Sequence, residues 1–172
     1  MGSSHKKQGK IADNNSKKSK IFGKLVRLIQ VEAKLCGGDI NSAGLKTAIE
    51  KARRVSVPKD TIERAIKKAN EAGNTTAVMY EAYGPAGIGM IITGLTDNNN
   101  RTSQEIKAAL SKNGGSLGSQ GSVAWNFTQN TEREWVPNTT MKLSGEDFEK
   151  LEVLIDVLED NDDVQNVYTN IE

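Results

Sequence analysis

Cysteine and histidine, which build many stable protein sites, are nearly absent from this chain. Its 172 residues include one cysteine, Cys36, and one histidine, His5. A single cysteine cannot form an internal disulfide, and these two residues supply too few ligands for a structural zinc site. We therefore expect no disulfide, no bound metal and no cofactor.

Long apolar runs are also lacking. No stretch approaches the roughly 18 consecutive apolar residues that span a bilayer, and the N-terminus has no apolar segment of the signal-peptide type. With 36% hydrophobic residues, the chain can still form a real core. We expect a cytoplasmic protein without a membrane partner.

Signs of catalysis are missing as well. The sequence shows no nucleophile beside a base, no carboxylate pair in a glycine-punctuated loop and no phosphate-binding motif. The glycine-rich segment 112–121 follows a predicted helix, so it lacks the helix N-terminus on which phosphate loops depend. We expect no catalytic residues, and an enzyme acting on nucleic acid is only a remote alternative.

Charge is plentiful but unevenly distributed. Residues 1–70 hold 17 Lys and Arg against 6 Asp and Glu, whereas the remaining residues hold 6 against 16. The net charges are therefore +11 and −10, which suggests a polyanion-binding surface on the first part. Two solvated faces that attract each other, or a merely disordered basic tail, are the plainer explanations. Nucleic-acid binding is favoured because the positive charge continues into segments with helical periodicity.

The first part is predicted to be a basic arm followed by three helices. Residues 1–19 are too polar to order themselves and predict a flexible arm. Over 20–72, apolar residues at helical spacing predict a three-helix bundle, with the second helix capped by Ser42 and the third starting near Pro58. The candidate nucleic-acid contacts on these helices are Lys24, Arg27, Lys46, Lys51, Arg53, Arg54, Lys59, Arg64, Lys67 and Lys68.

Beyond a linker at 73–77, the pattern changes to that of an acidic α/β domain over 78–172. From Ile88 onward the predicted order is β-α-β-β-α-β, a ferredoxin-like arrangement with an extra preceding strand, so the fold class is α+β. Arg101, at a predicted helix start after three asparagines, is an eleventh candidate contact, although simple capping is the plainer reading. Trp125 and Phe127 fall two apart on a predicted strand and could stack bases, although burial is more common.

Six segments of the chain carry a family resemblance. The first is Leu-Cys-Gly-Gly-Asp at 35–39, and the others are 57–66, 80–85, 95–102, 111–127 and 158–168. Together they resemble the YebC/PmpR family, which includes bacterial regulators and the mitochondrial translational activator of cytochrome oxidase subunit one. The resemblance implies an N-terminal helical domain and two α/β domains, the third inserted into the second. Here Phe127 is followed closely by Trp135, so we expect the inserted domain to be missing.

The resemblance implies two possible functions. One is a DNA-binding transcriptional regulator, which is the broader family description. The other is a ribosome-associated factor that binds ribosomal RNA and assists translation, including through proline-rich stretches. No helix-turn-helix with a reading helix is evident, which counts against base-specific DNA recognition. We expect a non-enzymatic regulator, with a monomer favoured, located in the cytoplasm or, for a eukaryotic chain, the mitochondrial matrix.

Overall fold

The chain forms two compact units. The computed structural model describes residues 3–69 and 73–172, with side chains from residue 18 onward. One unit ends at Gly73 and the other spans Asn74–Glu172, so the division falls inside the segment 73–77. Helices and an antiparallel sheet are both present, which confirms the α+β class.

Over residues 3–69 the first unit has three α-helices: α1 (Ser3–Cys36), α2 (Ala43–Arg54) and α3 (Lys59–Lys67). Gly37 and Gly38 end α1, because both adopt a positive φ that glycine tolerates. Ser42 caps α2 by accepting a hydrogen bond from the backbone N–H of Leu45, at 3.4 Å. Pro58 occupies the N-cap of α3. The local signals of the sequence therefore place the boundaries of α2 and α3.

The core of the first unit lies where the three helices meet. Its buried residues are Ile29, Ala33, Leu45, Ala48, Ile49, Ala52, Val57, Ile62, Ala65 and Ala69. Ile21 and Leu35 also fall at helical spacing in α1, yet they are 46% and 77% exposed. Only one face of α1 packs against α2 and α3, so these two apolar side chains are left outside the core.

Helix α1 differs from its prediction at its start. Its backbone is helical from Ser3, where the sequence predicts a flexible arm through residue 19. Helix propensity does not account for this extension, because the segment is rich in serine and asparagine and contains Gly9, all poorer helix formers than alanine. Although α1 is 34 residues long, neither it nor another helix in the described ranges is apolar enough to cross a membrane.

The second unit contains six strands and two α-helices, besides two short 3-10 helices at Pro85–Gly87 and Ala124–Asn126. The strands and α-helices are β1 (Thr76–Tyr83), β2 (Gly89–Thr96), α4 (Asn99–Lys112), β3 (Ser116–Leu117), β4 (Phe127–Gln129), β5 (Trp135–Pro137), α5 (Gly145–Glu159) and β6 (Val164–Thr169). The main sheet has the order β3-β1-β2-β6 with antiparallel neighbours. Buried residues of β2, α4 and α5 form its principal core, and a smaller core holds Ile91, Val123 and Phe127.

The strands of the main sheet are not paired in the ferredoxin-like order that the sequence predicts. Strands β4 and β5 form a separate two-stranded sheet instead of entering the main one. Strand β1, expected as an extra element, pairs with β2 along its whole length, from Thr76 opposite Thr96 to Tyr83 opposite Gly89. Because β1 occupies that side of β2 and β6 the other, the β4–β5 hairpin has no place beside β2.

Candidate nucleic-acid interface

Ten of the eleven predicted contact residues lie in the first unit. They are Lys24 and Arg27 on α1; Lys46, Lys51, Arg53 and Arg54 on α2; Lys59, Arg64 and Lys67 on α3; and Lys68 directly after α3. Seven of the ten side chains are exposed, whereas Lys24, Arg27 and Lys51 are half-buried. Their role in binding stays a prediction, but all ten side chains lie outside the buried core.

The amphipathic pattern of α2 explains why its cations face water. Leu45, Ala48, Ile49 and Ala52 occupy the buried stripe, so residues on the opposite side of the helix must point outward. Helix α3 repeats the arrangement, with Arg64 paired to Asp60 at 3.2 Å on its exposed face. Such an exposed pair contributes little to stability, which leaves the guanidinium accessible to a polyanion.

A groove between α2 and α3 gathers three of the predicted cations. This α2–α3 groove has a volume of about 390 Å³ and is lined by Lys46, Arg53 and Lys59, the last from the start of α3. Its charged lining also includes Glu50 and Glu63. Ile40 and Asn41, from the turn before α2, also line the groove, together with the apolar residues Ile49, Ile62 and Ile66.

Sequence reasoning missed the two carboxylates of the α2–α3 groove. A signal for them exists, since Glu50 lies four residues after Lys46 and Glu63 four residues after Lys59. Residues four apart share one helix face, so each helix carries a lysine and a glutamate on the same side. That these two sides face one groove depends on how α2 packs on α3, which spacing within either helix does not reveal.

Arg101, the eleventh predicted contact, lies in the second unit and is held by carboxylates. Its Nη2 donates to Asp163 Oδ2 at 2.9 Å and to Asp97 Oδ1 at 3.0 Å. Thr102 Oγ1 donates to the same Asp163 oxygen at 2.8 Å. The hydrogen bond and charge of Asp163, followed by Asp97, raise the pKa of Arg101 above its ordinary value. A phosphate at Arg101 would have to compete with these two carboxylates.

We expect Arg101→Gln to lower the unfolding midpoint of the second unit while changing nucleic-acid affinity by less than about twofold. The reason is that Asp163 is buried and loses its cationic partner. Thermal unfolding and a binding titration on the same sample measure both effects. Lys107→Gln, an exposed substitution on the same helix, is the control. A large loss of affinity with unchanged unfolding would instead place Arg101 in the interface.

Trp125 and Phe127 do not share a strand face. Ala124–Asn126 form a short 3-10 turn, and β4 begins only at Phe127. Trp125 is 73% exposed whereas Phe127 is buried. The indole Nε1 of Trp125 donates to the Ser122 carbonyl at 2.8 Å. The strand expected here is therefore a turn, and Phe127 is buried, which is the more common fate of such a residue, while Trp125 alone is exposed.

The loop before Trp125 is held by a buried carboxylate, Glu81 of β1. Its Oε1 accepts from the backbone N–H groups of Val123 at 3.0 Å and Ala124 at 2.6 Å, and its Oε2 accepts from that of Gly121 at 2.6 Å. Burial acts to raise the pKa of Glu81, but the three hydrogen bonds outweigh it and the pKa falls below 4.5. Glu81 is thus a charged anchor for this loop.

Metal-binding side chains are not assembled in the parts of the chain that the structure describes, where no group of three or more His, Cys, Asp or Glu could hold an ion. Cys36 is a half-buried free cysteine whose Sγ lies 3.7 Å from the Ala33 carbonyl oxygen. Cys36 is the last residue of α1.

Family models match nearly the whole chain. The model described as the TACO1/YebC protein N-terminal domain matches residues 3–72, and the one described as the TACO1/YebC second and third domain matches residues 75–133 and 128–171. The resemblance seen in the sequence is thereby confirmed. The second match is divided at 128–133, next to the β4–β5 turn, where the sequence predicts a missing insertion.

Curated relatives are similar over most of their length. A protein of Kosmotoga olearia is 36% identical, with 92% of this chain and 88% of the relative covered, and one of Thermosipho africanus is 37% identical, with 94% and 88% covered. Both are named probable transcriptional regulatory proteins. The alignments run over 221 and 223 residues, more than the 172 of this chain. The relatives therefore carry residues that have no counterpart here.

A solved structure has a similar fold. A conserved hypothetical protein from Aquifex aeolicus superposes with a TM-score of 0.78 at 28% sequence identity, and 90% of each chain is covered. This likeness extends the agreement from sequence to backbone.

Proposed function

Since the chain belongs to the TACO1/YebC family, we propose that it is a regulator of gene expression that binds nucleic acid through its first unit. The leading function in this proposal is transcriptional control on duplex DNA. The observation that carries the proposal is the set of ten cationic residues outside one small helical core. The names of the curated relatives point to the same regulatory class.

The chemistry of these side chains favours contact with phosphates. Lysine and arginine on three packed helices present charges on a fixed scaffold, and each phosphate they neutralise releases counterions. Phosphate contacts position a protein on nucleic acid without reading its sequence. Binding should therefore be strong at low salt and only weakly selective.

A second candidate is a translation factor that binds ribosomal RNA. The specific observation is that α2 and α3 contain no asparagine or glutamine, the side chains that pair with adenine in the major groove of DNA. Arginine can read guanine, but a helix with so few base-reading side chains is poorly equipped for promoter recognition. Structured RNA makes smaller demands, because shape and backbone contacts dominate its recognition.

The proposed phosphate binding predicts a steep salt dependence for the full chain. The logarithm of the association constant should fall linearly with the logarithm of salt concentration, with a slope near −0.9 for each neutralised phosphate of duplex DNA. Lys67→Gln combined with Lys68→Gln should make the slope shallower by about 2. The matched pair Lys107→Gln and Lys112→Gln, in the second unit, should leave it unchanged. A nearly flat salt dependence would contradict phosphate binding.

Two measurements separate the leading function from the second candidate. The first compares binding to promoter fragments with binding to scrambled DNA, and the second is co-sedimentation with ribosomes at moderate salt. A preference of about 10³ or more for one DNA site would support transcriptional control. Ribosome association without any preference between DNA sequences would reject it in favour of translation.

A further inference from the structure

We propose that the α2–α3 groove binds a single unstacked nucleotide, with its base held by Glu50 and Glu63 and its phosphate by Lys46, Arg53 and Lys59. This inference rests on the proposed function, namely that the first unit binds nucleic acid. It adds that the preferred target contains an unpaired base, such as a bulge or a loop.

The size and floor of the α2–α3 groove fit a nucleobase. Its volume of about 390 Å³ lies within the range of roughly 300–1,000 Å³ typical of small-ligand sites. Ile49 and Ile62 line it and are only 8% and 4% exposed, while Ile40 at its side is 60% exposed. A phosphate group gains nothing from an apolar lining, but the face of a base does. A base inside a regular duplex cannot enter such a concavity without leaving the stack.

The mixture of charges in the groove argues against a pure phosphate site. Three cations and two carboxylates line it. Among the residues that the structure describes, none of these five side chains forms an ion pair. Two carboxylates beside the cations would weaken phosphate binding through like-charge repulsion. Their presence is explained if the cations and the carboxylates contact different parts of one ligand.

The carboxylates match the donor groups of bases. A glutamate accepts hydrogen bonds from the amino group of cytosine, and adenine and guanine also carry exocyclic amino groups. Uracil and thymine carry none and offer only one ring N–H. The groove should therefore prefer an unpaired cytosine, adenine or guanine. Arg53 can add either a phosphate contact or stacking of its guanidinium plane on the base.

An acidic peptide is the competing occupant, since it could also bind three cations. Glu50 and Glu63 would repel its carboxylates, and a peptide would leave both of them without donors except at its backbone N–H groups. A nucleotide uses the cations, the carboxylates and the apolar floor together. The observations therefore favour the nucleotide.

The test uses the full chain and the double variant Glu50→Gln, Glu63→Gln. The probes are RNA and DNA hairpins of equal length that are fully paired or contain one bulged cytosine or one bulged uracil. For the unsubstituted chain we expect about tenfold tighter binding to the bulged cytosine than to the paired hairpin, and a smaller gain with uracil. For the variant we expect that preference to disappear while affinity for the paired hairpin stays equal or rises, because two negative charges are removed.

The outcomes distinguish this inference from the proposed function. If the variant binds paired and bulged probes more tightly by the same factor, the carboxylates act only through charge, and the nucleotide site is rejected while nucleic-acid binding stands. If the unsubstituted chain binds none of the hairpins, the proposed function itself fails. Displacement of the bulged hairpin by a poly-glutamate peptide, abolished by Lys46→Gln, would reassign the groove to acidic peptides. Glu149→Gln with Glu152→Gln, exposed on α5, is the charge-matched control, and the RNA and DNA arms show which polymer is preferred.

Discussion

Replacing Glu81 with leucine lowers the free energy of unfolding of the second unit by about 3 kcal/mol. The substitution removes the acceptor of three backbone N–H groups, those of Gly121, Val123 and Ala124. An unsatisfied polar group costs more than the net value of its hydrogen bond. Urea unfolding followed by tryptophan fluorescence measures the effect, because both tryptophans of the chain lie in the second unit.

Acid should weaken this anchor in a defined direction. The folded pKa of Glu81 is lowered from 4.5, so its contribution is fully present above that value and is lost as pH falls toward the folded pKa. The difference in unfolding free energy between the unsubstituted chain and Glu81→Gln should thus be constant near neutral pH and shrink below about pH 4.5. Glu152→Gln, an exposed control on α5, should stay within about 0.5 kcal/mol. A pH-independent difference would contradict the role of the Glu81 charge.

Gly94→Ala should destabilise the second unit by about 2–3 kcal/mol. A Cβ atom at this position would lie 2.5 Å from the backbone oxygen of Asp163 and 3.4 Å from Val78 Cγ2. That oxygen also accepts the hydrogen bond of the Leu95 N–H at 2.8 Å. Because the pairing of β2 with β6 shifts register at this point, the added methyl group forces backbone to move in a place where the strands already depart from regular pairing.

A second glycine supplies the control for Gly94. A Cβ atom on Gly145, in the first turn of α5, would meet no atom within 4 Å. Gly145→Ala should therefore leave stability unchanged or raise it by up to about 1 kcal/mol. Urea midpoints of both variants, followed through the same tryptophans, make the comparison. Equal effects of the two substitutions would show that lost flexibility, and not the contact with Asp163, determines the result at Gly94.

The sequence predicts the helices well, because the residues that cap a helix and form its buried stripe are close together in the chain. The cap at Ser42 and the stripe of Leu45, Ala48, Ile49 and Ala52 are close enough in the chain to act within one element. Helix α5 begins directly after Ser144, which occupies its N-cap position. Only the beginning of α1 differs, since helix propagation into a polar segment depends on small free-energy differences.

Sheet pairing was predicted less well, because it depends on contacts far apart in the sequence. The segment 123–127 has the alternation of a strand, yet Val123 and Phe127 are buried around a 3-10 turn. The two hairpins, β1 with β2 and β4 with β5, join strands that are close in the chain. Nothing local shows that β3 and β6 complete the main sheet while the β4–β5 hairpin stays outside it. Glu81 is hidden for a related reason, since a polar residue between Tyr80 and Ala82 has the pattern of a solvent-facing strand position.

The candidate interface divides in the same way. Composition alone predicts that the first unit carries the cations, because charge can be counted without a structure. The α2–α3 groove cannot be predicted from composition, because it forms only when α2 packs on α3 and the turn at Ile40 and Asn41 lies beside them. Arg101 shows the converse, because only the folded chain brings Asp163 to its guanidinium.

One carboxylate that holds three amides also affects the dynamics of the loop they belong to. If the N–H groups of Gly121, Val123 and Ala124 had separate acceptors, the loop could fray one bond at a time. With Glu81 as the shared acceptor, withdrawal of a single side chain releases all three together. The loop should then open and close as one cooperative unit. Trp125, at its end, should be held in place or become mobile in the same step.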